Sequence, residues 1–155
     1  MKMNWKRLLI NLGIPLAVGG LSALVSGGMG QYRGFTQPPL SPPGWVFPVV
    51  WTILYLSMGY AAYRVQTSGK SNDAVKKSMR LYGAQLIANF LWSPIFFGLE
   101  WYLAAFFVLV GMWVLIYLTM QHFAKLDEVA GDLMIPYILW VTFAGYLNLG
   151  VYLLN

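Results

Sequence analysis

The chain has 155 residues, of which 59% are hydrophobic, 17% aromatic and only 10% charged, and its mean hydropathy is +0.61. A soluble domain is about 25% charged, so this balance excludes one and points to a chain embedded in lipid. The net charge of +5 comes from basic residues spread along one membrane face, which argues for topology and against a nucleic-acid site. With no cysteine, disulfides and thiolate chemistry are also excluded.

A helical crossing needs about 20 predominantly apolar residues. Five segments qualify: 8–27, 44–65, 79–98, 101–123 and 132–154. They are too long for barrel strands and lack strict alternation. Lipid-exposed backbone must be helix or closed barrel, so one all-α, five-helix membrane domain over 1–155 is expected. The first segment follows Lys2, Lys6 and Arg7 like a signal peptide, but its apolar run is too long for one, and it reads as an uncleaved helix. Arg64, Lys70, Lys76, Lys77 and Arg80 surround the second loop and Lys125 lies in the fourth. Only Arg33 falls on the other side. Basic loops favour the cytoplasm, which places the N-terminus inside and the C-terminus outside.

The first loop is the most distinctive stretch. Pro38, Pro39, Pro42 and Pro43 precede Trp45, and Pro48 follows. Proline fixes φ, removes a donor and biases its predecessor to extended backbone. Tyr32, Phe35, Trp45 and Phe47 make it an aromatic loop, expected to be ordered and to act as a lid.

Helical spacing then defines three similar faces. Pro48, Trp51, Tyr55, Met58 and Ala62 share one. Gln85, Asn89, Trp92 and Phe96 share the next. Pro136, Trp140, Ala144 and Asn148 share the last, with Phe143 beside it. Two readings stay open. One is bundle packing and interfacial anchoring. The other is an apolar cavity with a few polar contacts, suited to a flat aromatic ligand. Ala84 and Ala88 form a small-xxx-small pair that allows close helix approach within the bundle or across a dimer.

The remaining polar residues offer little chemistry. His122 is the only histidine, so it builds no metal site, and its two readings are an axial haem ligand or an interfacial structural role. No nucleophile–base set or phosphate loop is present. The lack of charges inside the spans argues against a proton pump or ion channel.

Three blocks then carry a resemblance. They are Pro42-Pro43-Gly44-Trp45-Val46-Phe47-Pro48 with Trp51 and Leu54-Tyr55; Gln85-Leu86 with Asn89, Trp92, Pro94 and Phe96-Phe97-Gly98; and Pro136-Tyr137 with Trp140, Ala144 and Leu147-Asn148. In these the chain resembles the translocator protein family, also called tryptophan-rich sensory proteins or peripheral benzodiazepine receptors. The resemblance implies a five-helix bundle, often a homodimer, with a cavity closed by the first loop. It implies binding of porphyrins (protoporphyrin IX, haem) and of isoquinoline or benzodiazepine ligands, with no cofactor required and a role in tetrapyrrole handling or stress sensing. By motif position it makes Trp51 and Trp140 the pocket tryptophans, puts Asn89, Trp92 and Ala144 on the pocket lining, and makes Tyr32 the loop tyrosine.

Two other functions stay open under the resemblance. One is light-dependent porphyrin degradation, with Trp51 and Trp140 as redox partners and the porphyrin supplying the photochemistry. The other is a regulatory membrane scaffold. Many relatives carry Trp-Tyr where this chain has Gln31-Tyr32, and Lys-Pro where it has Gln37-Pro38, which removes a partner for a propionate; Arg33 is the candidate substitute. No basic residue follows Tyr152, so cholesterol binding is not expected from the tail.

Overall fold

A computed structural model describes residues 3–26 and 36–155; Tyr32, Arg33 and Phe35 lie outside them. Every regular element among the described residues is helical. Helix α1 spans Trp5–Val25, α2 Val46–Gln66, α3 Asn72–Ser93, α4 Tyr102–Leu126, α5 Glu128–Leu133 and α6 Ile135–Leu154. Among the described residues, four stretches are long and apolar enough to cross a membrane: α1, α2, α4 and the α5–α6 run Glu128–Leu154. The third expected segment is different. α3 begins at Asn72 rather than 79, because Ser71 Oγ caps it by accepting from Ala74 N–H at 3.4 Å. Its first turns therefore carry Asp73, Lys76, Lys77 and Arg80, which dilute its hydropathy.

Prolines set the other irregularities. Pro94 ends α3 in a π-helical turn, Pro94–Gly98, closed by Leu99 N–H on Pro94 O at 2.9 Å. Pro136 lacks the N–H that would bond to Asp132 O, and the fifth segment divides at Met134 into α5 and α6. Pro15 likewise leaves Asn11 O without its partner inside α1. Gly59 of α2 packs directly on that carbonyl, where a Cβ would collide with it.

α1 packs on α2 and α3, α3 on α4, and α4 on α6. Short connections join α3 to α4 and α4 to the α5–α6 run, and the elements so joined pack on each other. The core holds Met58, Ala61, Met112, Ile116, Tyr137 and Val141, each essentially inaccessible. Lipid is as apolar as these side chains, so packing and interhelical hydrogen bonds must hold such a bundle. Asn11 and Gln66 exchange two amide bonds at 2.9 and 3.0 Å, tying α1 to α2. Ser22 Oγ donates to Phe90 O at 2.8 Å, and Ser26 Oγ meets Ser93 Oγ at 2.9 Å, tying α1 to α3. Arg64 Nε donates to Asp127 Oδ1 at 3.0 Å and holds α2 against the start of α5. Trp5, Trp45 and Trp101 are exposed near helix starts, as an interfacial aromatic belt requires.

Candidate functional site

α2 meets α3 and α6 only sparsely. Aromatic rings occupy the gap, because three helical faces point the same residue types into it. Trp51 stacks on Tyr55 at 5.5 Å and meets Tyr137 and Trp140 edge-on at 6.2 and 6.5 Å. Phe47 meets Trp140 edge-on at 5.8 Å. Trp92 stacks on Phe96 at 5.0 Å and meets Phe97 edge-on at 6.0 Å.

Trp51, Trp92, Phe47 and Phe97 form a wall with a cavity on each side. The α1-side cavity holds about 360 Å³ and opens between α1 and α2, where Gly20, Ala23 and Thr52 are exposed. The α6-side cavity, bordered by Trp140, Ala144 and Asn148, has only about 30 Å³ left. That has room for water but not for a ligand.

The described part of the Pro-rich segment closes the α6 side. Pro38 is buried against Gly150, where a Cβ would stand 2.5 Å from Pro38 Cβ. Tyr146 OH donates to Pro39 O at 2.6 Å. Thr36 N–H donates to Asn155 Oδ1 at 3.0 Å, and Asn155 Nδ2 returns a bond to Thr36 O at 2.8 Å. Leu40 turns the segment with φ 70°, a conformation disfavoured for a branched side chain.

Beneath the wall lies a closed polar chain. Tyr55 OH donates to Asn89 Oδ1 at 2.9 Å, Asn89 Nδ2 donates to Tyr137 OH at 2.8 Å, and Tyr137 OH donates to Gln85 Oε1 at 2.6 Å. It links α2, α3 and α6 and satisfies groups that lipid could not. Trp92 Nε1 donates to Asn148 Oδ1 at 2.9 Å, and Asn148 Nδ2 to Tyr102 O at 2.8 Å. One donor at the site is left over: Trp140 Nε1 is buried without a hydrogen-bond partner among the described residues. Such groups are rare in native interiors.

The expected site residues therefore divide. Trp51 and Trp92 border both cavities, Trp140 and Ala144 the α6 side, and Tyr55 and Asn89 the α1 side. Gln85 is fully buried behind Tyr137 and borders neither. Phe143 also borders neither; it packs on Trp140 and Tyr146 at 5.6 and 6.2 Å. Tyr32 lies outside the described residues. Ala88 packs against its own bundle's core, with Ala84 half-buried one turn away. His122 Nδ1 lies 2.8 Å from Leu118 O on its own helix. Sequence reasoning missed Phe97 because the π-turn takes it off the 3.6-residue period; Pro94 was the available signal. It also missed Phe47 and Asn148 as lining, although both belong to the motif blocks.

Comparison with known proteins agrees with this architecture. Residues 11–154 match the TspO/MBR family. The chain is 38% identical over 150 residues to the tryptophan-rich protein TspO of Chlorobaculum tepidum, covering 96% of this chain and 95% of that one. It is 38% identical over 158 residues to the tryptophan-rich sensory protein of Cereibacter sphaeroides, covering 100% and 95%. It is 34% identical over 142 residues to the translocator protein of Bos taurus, covering 87% and 82%. With its apolar helices and tryptophan-lined interior, the chain belongs to the TspO/MBR family of membrane proteins.

Proposed function

We propose that this protein is a membrane receptor or carrier for flat apolar ligands of the porphyrin class, held against the Trp51–Trp92 wall. The observation that carries the reading is that wall: two tryptophans border both cavities, and the buried Trp140 Nε1 beside them lacks an acceptor among the described residues. Aromatic faces stack on a planar macrocycle, and a ligand oxygen would satisfy the indole N–H. The α1-side cavity falls at the lower end of the size range for ligand pockets, roughly 300–1,000 Å³. The α6 side opens when residues 36–41 leave α6, so this segment acts as the lid. In this reading α3 and its π-turn make the fifth crossing, since residues 81–98 carry no charge.

Titration of the purified protein with protoporphyrin IX in the dark tests the reading. Tryptophan fluorescence should quench saturably, and the Trp51→Phe/Trp140→Phe variant should bind more weakly. Identical binding by the variant would remove the site assignment.

A further inference from the structure

At the opposite rim from the aromatic wall, α1, the α2–α3 turn and the start of α3 enclose a groove of about 820 Å³. Lys6, Arg7, Lys70 and Lys76 line it, and no acidic side chain among the described residues does. The ion pair found among the described residues, Arg64–Asp127, lies elsewhere, so none of the four cations is paired there. Asp73 stands in the first turn of α3 but does not line the groove. Two helix N-termini add to the positive field: Asn4 caps α1 and Asn72 begins α3, and both line the groove.

The lining changes character with depth. Ile10 and Ile14, exposed on the outer side of α1, continue the groove toward the bilayer interior. The doubly bonded Asn11–Gln66 pair forms a fixed floor. Four unpaired cations around one concavity repel one another until an anion enters. A free anion would satisfy the rim but leave the apolar track empty. An acidic lipid satisfies both, and basic pockets between helices at a membrane surface suit such headgroups.

We propose that this groove is a binding site for one anionic phospholipid. The phosphate sits among Lys6, Arg7, Lys70 and Lys76, and an acyl chain runs along Ile10 and Ile14. Occupancy braces α1 against the α2–α3 turn.

Native mass spectrometry and thermal unfolding of the full chain in detergent, titrated with phosphatidylglycerol, test this. Phosphatidylglycerol should stay bound and raise the Tm, while phosphatidylcholine should do neither. Each cation removed should weaken binding about fivefold, so Lys70→Gln/Lys76→Gln should lose roughly 25-fold. Lys70→Arg/Lys76→Arg should retain binding, and so should Lys77→Gln/Lys125→Gln, whose residues lie outside the groove. Equal weakening by the two Gln variants, or equal binding of phosphatidylcholine, would overturn the site. Glycerol 3-phosphate alone stabilising as well as the lipid would show a free-anion site and overturn the lipid assignment.

Discussion

Substituting Gly150 with alanine places a methyl group where Pro38 sits. The new Cβ would lie 2.5 Å from Pro38 Cβ and 2.7 Å from Pro38 Cγ. Carbon atoms rest at roughly 3.5–4.0 Å, so Pro38 must retreat by about 1 Å. The neighbouring bonds from Tyr146 to Pro39 at 2.6 Å and between Thr36 and Asn155 at 2.8 and 3.0 Å cannot follow. Stretched that far, they leave hydrogen-bonding range. Exposed bonds of this kind contribute about 0.5 kcal/mol each, and losing all of them raises detachment of residues 36–41 from α6 roughly tenfold. The same change improves helix propensity in α6 by about 1 kcal/mol. The expected outcome is thus a split. Hydrogen exchange at the Thr36 amide speeds about tenfold, while the Tm changes little, because the gain in helix propensity offsets most of the loss. Unchanged Thr36 exchange in Gly150→Ala would refute the seating of residues 36–41 on α6.

Other perturbations follow from the packing. Gly59→Ala should destabilise by about 1–3 kcal/mol, because the added Cβ meets Asn11 O and α1 must move off α2; a denaturant titration reads this directly. Asn89→Ala breaks bonds to Tyr55 and Tyr137 and should cost about 1–2 kcal/mol by the same measurement. Burial pushes the Asp127 carboxyl up, but hydrogen bonds from Arg64 and the Ala130 amide outweigh it and hold it below the usual 3.8. Its stabilisation is therefore complete above that value and fades as pH falls through the lower folded one. Tm measured from pH 6 downward should show this acid loss in the wild type and a shallower loss in Arg64→Gln.

Much of this was legible in the residues, for reasons that also explain the failures. Long uncharged runs located the helices, since lipid enforces helix over such lengths. The same hydropathy logic hid the start of α3, where a serine cap extends the helix through a charged segment that polar surroundings tolerate. Periodicity put Gln85 and Asn89 on one face, and they do share one. It could not show that Tyr137 lies across Gln85, because that contact is set by how α3 and α6 each pack on α4. Trp51, Trp92 and Trp140 converge because each lies inside its helix on the apolar face, a pattern visible in spacing. Phe97 converges with them only through the π-turn that Pro94 starts, where the spacing rule no longer applies. The hold of Asn155 and Tyr146 on residues 36–39 joins sequence positions too distant for any local pattern to reveal.

A structure of the protein with protoporphyrin IX bound in the dark tests the central claim most directly. The macrocycle should lie in van der Waals contact with Trp51 and Trp92, with an acceptor on Trp140 Nε1 and residues 36–41 lifted from Gly150. A porphyrin resting on the outer, lipid-facing surface, with the wall untouched and Pro38 still seated on α6, would contradict it.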